Sequence, residues 1–201
     1  MVTVISILVI LMTAGVGLLN GSGSQSRKAA TDMLSGLVDQ ARTIAITSRS
    51  DVLLVIAEPG DLPTGDERCR VGLFRLRKPA AGATTSTPDR YDLLSRWQTL
   101  NTGIVLLGGK VEGVRNPIDE PQMSITYGPA SKEITANVHA ISINSRGSLA
   151  LPKGSDPIAF RIAEGGYRGG KAAANMRGED HDVTENRLKI GRVTARPYRF
   201  D

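Results

Sequence analysis

Two histidines, one cysteine and a glycine-rich run are the residues of this 201-residue chain whose types could do chemistry. His181 stands in Glu179-Asp180-His181-Asp182, a charged run offering oxygen and nitrogen donors to a metal ion. A metal centre needs further ligands at a defined spacing, and no second cluster accompanies this one, so the expectation is a solvated loop and no metal. His139 lies beside Val138 and Ile141 in a strand-like stretch and reads as a structural histidine. Gly165 to Ala172 (GGYRGGKA) nearly matches a phosphate-binding loop and follows a strand pattern. Ala172 occupies the place of the magnesium-binding Ser or Thr, however, and no convincing helix follows. A G-x-S-x-G nucleophile elbow does not occur. Cys69, being alone, forms neither an intrachain disulfide nor a cysteine metal cluster, and reads as a small buried hydrophobe. The expectation is no enzyme, no catalytic residue and no cofactor.

Binding chemistry is better supplied, at the C-terminus. Arg187, Lys189, Arg192, Arg196 and Arg199 stand against Glu185 and Asp201 there. The run Arg196-Pro197-Tyr198-Arg199-Phe200 alternates cations with aromatics, as binders of single strands and phosphate backbones do. Arg192, Arg196 and Arg199 are therefore the candidate nucleic-acid contacts. A sheet edge guarded by charges is the reading set against them. The overall formal charge of +5 names no partner by itself.

The elements that must position these residues follow from periodicity. Met1 to Leu19 carries no charge and is rich in Val, Ile and Leu. Nineteen residues span roughly 28 Å as a helix, close to the hydrocarbon thickness of a bilayer. Nothing basic precedes Val2, so a membrane anchor over 1–20 is expected and not a signal peptide. From Ala29 to Arg49 the apolar residues form a stripe of Met33, Leu34, Leu37, Val38, Ala41, Ile44 and Ala45, one face of a helix. Asn20 to Ser26, with Gly21 and Gly23, reads as a soft point between the two halves.

After Arg49 the period shortens. Strands are expected at Val52–Ala57, Arg70–Arg77, Tyr91–Leu100, Ile104–Leu107, Met123–Tyr127, Val138–Ile143, Ser148–Leu151, Ile158–Ala163 and Arg187–Val193, separated by Gly, Pro and Asn turns. A weak helix option remains at Lys171–Met176. The predicted fold class is α+β: a long N-terminal helix, transmembrane in its first half and amphipathic in its second (27–49), packed on an antiparallel β-sheet domain over 50–201.

Four stretches then carry a family resemblance: the anchor MVTVISILVIL, the helix end LVDQARTIAITSRSDVLLV, Arg96-Trp97 followed by Asn101-Thr102-Gly103-Ile104, and the pair INSRGS and IGRVTA. In their order and spacing they resemble type IV pilin-like proteins, within them the GspH/FimT group of minor pseudopilins. The basic leader, cleavage junction and early Glu of such proteins do not appear; under the resemblance the expectation is a start upstream of Met1, with a truncated copy as the alternative. It implies a prepilin, processed and methylated, serving a type II secretion system or type IV pilus. Protein secretion or pilus function would come by helix-mediated assembly with other pilin and pseudopilin subunits. It also implies a single-pass inner-membrane protein in contact with the lipid bilayer, its C-terminal domain in the periplasm or outside, and no small-molecule substrate. The alternative is a membrane-anchored β-rich binding module contacting DNA through its basic C-terminal strand.

Overall fold

The computed structural model describes residues 2–63, 65, 67–77, 89–129, 131–177 and 182–200; of residues 2–22, Arg177 and Asp182 it describes the backbone alone. One helix, α1 (Val2–Ser48), opens the chain. Its described side chains explain why it is held. Ala30, Leu34, Leu37, Val38, Ala41 and Ala45 are buried along one face, with Met33 and Ile44 partly buried beside them. The helix stops where Arg49 turns left-handed (φ 49°) and the Ser50 N–H donates to the Ala45 carbonyl at 3.2 Å. This is a glycine-type helix stop carried by an arginine. Arg49→Gly should therefore raise stability by about 0.5–1 kcal/mol, the relieved strain being offset in part by glycine's unfolded-state entropy. A higher urea midpoint at unchanged slope is the measurement that checks it.

Strands follow in close succession: β1 (Val52–Ala57), β2 (Arg70–Leu76), β3 (Arg90–Leu93), β4 (Gln98–Thr99), β5 (Ile104–Leu107), β6 (Met123–Tyr127), β7 (Ile134–Ile143) and β8 (Leu149–Leu151). The remainder are β9 (Ile158–Arg168), β10 (Lys171–Ala174), β11 (Met176–Arg177), β12 (Asp182–Val183), β13 (Glu185–Ile190) and β14 (Pro197–Phe200). Strands β1, β2 and β3 pair antiparallel in order. Strand β3 then lies parallel to β6, β6 pairs with β7, and β7 returns to β1. Five strands thus close into a ring.

Side-chain alternation sorts the apolar residues into an inside and an outside. Leu53, Val55, Ala57, Phe74, Tyr91, Ile125, Tyr127, Ala136 and Val138 fill the barrel. Phe74, Trp97 and Tyr127 meet edge to face there, with ring centroids 5.2–6.2 Å apart. Residues of the opposite parity (Leu54, Ile56, Val71, Leu73, Ile141 and Ile143) point outward into a second and larger core. That core is covered by α1 and by the second sheet, whose order is β10-β9-β13-β14 with β5 also on β9. Strand β1 is buried on both faces, which is why it reads VLLVIA without alternation.

The expected fold class requires correction. The molecule is mostly β, and the helix with described surroundings is 26 residues long, 23–48. It sits in the seam between a five-stranded barrel and a second sheet. A long helix laid on one antiparallel sheet is not what is found. The physical reason is the two-sided burial of β1, β2 and β7: one face needs the barrel interior and the other needs the seam. A second correction concerns the membrane. Among the described residues no helix is long and apolar enough to cross one. The transmembrane first half, the single-pass inner-membrane placement and the membrane-bound prepilin attributes are withdrawn with it. Lys171–Met176, the weak helix option, is strand β10 and the start of β11.

Candidate functional site

The seam that holds α1 is where the structure concentrates polar groups inside an apolar setting. Arg27 projects from the helix toward β9, and its Nε lies 3.3 Å from Glu164 Oε1, the two side chains being 9% and 12% exposed. The approach is close because residue 23 is glycine: a Cβ there would lie 2.2 Å from Glu164 Oε1. Gly23 therefore has a packing reason within a continuous helix, where the sequence suggested a soft point. One turn on, Thr31 is wholly buried and donates to the Arg27 carbonyl at 2.8 Å, while Asn186 Nδ2 of β13 donates to Thr31 Oγ1 at 3.3 Å. Asp32, on the exposed side of the same turn, accepts from Arg199 Nη2 of β14. Helix, β9, β13 and β14 are thus joined by polar contacts within two helical turns.

The three candidate arginines are not brought together as one patch. Arg192 donates to the carbonyls of Pro152 (2.5 Å) and Asp156 (2.9 and 3.1 Å). Burial and the neighbouring Arg115 hold its guanidinium below the ordinary arginine pKa. It ties down the 152–156 loop with Arg115, which grips Glu120 through two bonds of 2.7 and 2.8 Å. Arg199 is engaged with Asp32. Arg196 is exposed, next to the buried, left-handed Ala195 (φ 45°).

A different cation–aromatic arrangement, which sequence parity only hinted at, occupies the other face of β13 and β14. Lys189 Nζ lies 5.8 Å from the Tyr198 ring centroid and 5.5 Å from that of Phe200, and Arg187 lies 5.9 Å from Phe200. Glu185 sits beside them. Burial works against its charge, but hydrogen bonds from Arg161 (2.8 Å) and Arg187 (2.6 Å) outweigh it and hold the carboxyl below its ordinary pKa. Each ring thus has one of this chain's own cations beside it, while Tyr198 stays half exposed.

The other sequence candidates resolve plainly. Gly165 to Ala172 is the β9–β10 hairpin, turning at Gly169 and Gly170, and a strand follows it where a phosphate loop would open a helix. His181 lies outside the described residues. Among the described residues no group of three or more His, Cys, Asp or Glu is placed to hold a metal ion. Cys69 is a free, fully buried thiol, pushed up to about 12 by burial.

One cluster escaped the sequence reading. The Glu58 N–H donates to Asp61 Oδ2 at 2.8 Å, and Asp61 Oδ1 accepts from Gln122 Nε2 at 3.3 Å. His139, 7% exposed, places Nδ1 3.0 Å from the Glu120 carbonyl and Nε2 3.8 Å from Glu58 Oε2. Burial, with Asp61 alongside, pushes Glu58 up to about 7. Its only sequence signal was an acidic pair flanking Pro59-Gly60, which reads as an ordinary turn.

No protein-family model matches this chain, and comparison with curated proteins and with solved structures returns no match.

Proposed function

We propose that this chain is a structural subunit that works by assembly and not by catalysis, joining neighbours through the N-terminal part of helix α1, as its resemblance to minor pseudopilins implies. One observation carries the reading: residues 27–45 of the helix are fixed between two sheets by an apolar face and a buried ion pair. A contact made on the preceding turns of the same helix is therefore borne by the whole domain. The sequence of those turns, uncharged from Val2 to Leu19, suits burial against other apolar helices. Sedimentation velocity of the full chain tests this. The wild type should form concentration-dependent assemblies that Val9→Asp abolishes while thermal stability is unchanged. A monomer at every concentration would count against assembly.

A second reading is favoured by the cation–aromatic face: contact with an acidic polymer such as DNA. Its chemistry would be phosphate contact by Arg196, Arg187 and Lys189, with the half-exposed Tyr198 ring beside Lys189. Arg196→Ala should then lower DNA affinity and reduce its salt dependence by about one phosphate. Arg192→Ala should instead lower stability by about 1–3 kcal/mol by freeing two carbonyls, and so reveal a scaffold role. Urea unfolding beside a salt series of binding curves separates the two.

A further inference from the structure

The Glu58–Leu62 turn lies where barrel and second sheet meet. Glu58 follows Ala57, the last residue of β1, and continues the outward-facing parity of Leu54 and Ile56. It is 15% exposed, with Asp61 from its own turn, His139 from β7, Cys69 from the segment before β2 and Tyr167 from β9 as its titratable neighbours. The β9–β10 hairpin comes down on the same turn: a Cβ built at Gly170 would stand 3.4 Å from the Pro59 carbonyl oxygen. His139 Nδ1 faces a carbonyl, which only accepts, so Nδ1 carries the proton and Nε2 faces Gln122 at 3.5 Å and Glu58. Two carboxylates joined by one turn, against an apolar seam, cannot both be charged without strong mutual repulsion.

We propose that this cluster is a proton-operated latch: with a proton on Glu58 the turn and the β9–β10 hairpin are docked on each other, and loss of that proton releases them. It depends on no reading of the protein's function. The sign follows from the protonation of the two states. Docking holds a proton that the opened turn, with an ordinary carboxyl, gives up. Docking is therefore strongest below about pH 4.5, weakens as pH rises toward about 7, and changes no further above that.

Hydrogen exchange at residues 58–62 and 165–172 of the full chain, corrected for intrinsic rates, measures the opening. Between pH 5 and pH 8 the opening constant should rise about tenfold in the wild type, a value reduced for partial solvent screening. Glu58→Gln should abolish the rise, and Asp61→Asn should shrink it. The Glu58 carboxyl carbon, followed by NMR in the wild type, should titrate over the same interval, which keeps the test available if Glu58→Gln does not fold. No rise in the wild type would overturn the latch. So would a rise that survives Glu58→Gln, or one removed only by His139→Gln.

Discussion

Glu164→Ala is expected to destabilise the domain by about 3–5 kcal/mol, because it leaves the Arg27 guanidinium buried without its carboxylate. Arg27 is 7% exposed, and among the described residues its Nε and Nη1 are buried without a hydrogen-bond partner. Replacing both members tells a different story. Arg27→Met with Glu164→Leu removes the desolvation cost together with the attraction, and should return stability to within about 1 kcal/mol of the wild type. Equilibrium urea unfolding of the four proteins forms the cycle. A single-variant loss below about 0.5 kcal/mol would mean that water reaches the pair. The pair would then fix the helix angle more than it stabilises the fold.

Phe74→Ala should cost about 3–5 kcal/mol. Phe74 is fully buried at the centre of the barrel, touching both Trp97 and Tyr127 edge to face, so its removal opens a ring-sized cavity. The variant carries its own reporter, since Trp97 is the sole tryptophan. Its emission should shift red in the folded protein as water enters the ring pocket. Loss of stability without that shift would place Trp97 outside the barrel cluster.

Much of the strand order was legible, and for a local reason. Val52–Ala57, Ile104–Leu107 and Met123–Tyr127 stand where apolar runs between turn residues put them. The helical stripe was legible too, because spacings of three and four are set within the segment itself. What could not be read was closure. The barrel depends on a parallel pair of two residues, Arg90 with Thr126 and Tyr91 with Tyr127, set by contacts remote in sequence. Strand β14, carrying a proline and two exposed residues, lacked the alternation that marks a buried strand, and went unseen.

The site was legible in composition and not in geometry. Arg192, Arg196 and Arg199 were chosen for sharing a charge and a short stretch. The chain turns between Ile190 and Pro197, however, and sends one to loop carbonyls, one to the helix and one to solvent. Arg27 and Glu164 lie far apart in sequence, and nothing local marks either as a partner. Glu58 became unusual only once β7 and β9 closed over its turn.

The central claim, assembly through helix α1, is tested most directly by crosslinking in the cells that make the protein. Cys69 is buried and its thiol is held protonated, so a cysteine added by Ile5→Cys, Ile10→Cys or Val16→Cys reports on helix neighbours without a competing thiol. Disulfide-linked products containing this chain, formed at some of these positions and not at an exposed control such as Thr184→Cys, are the expected result. Equal crosslinking at all positions, or none at any, would contradict it.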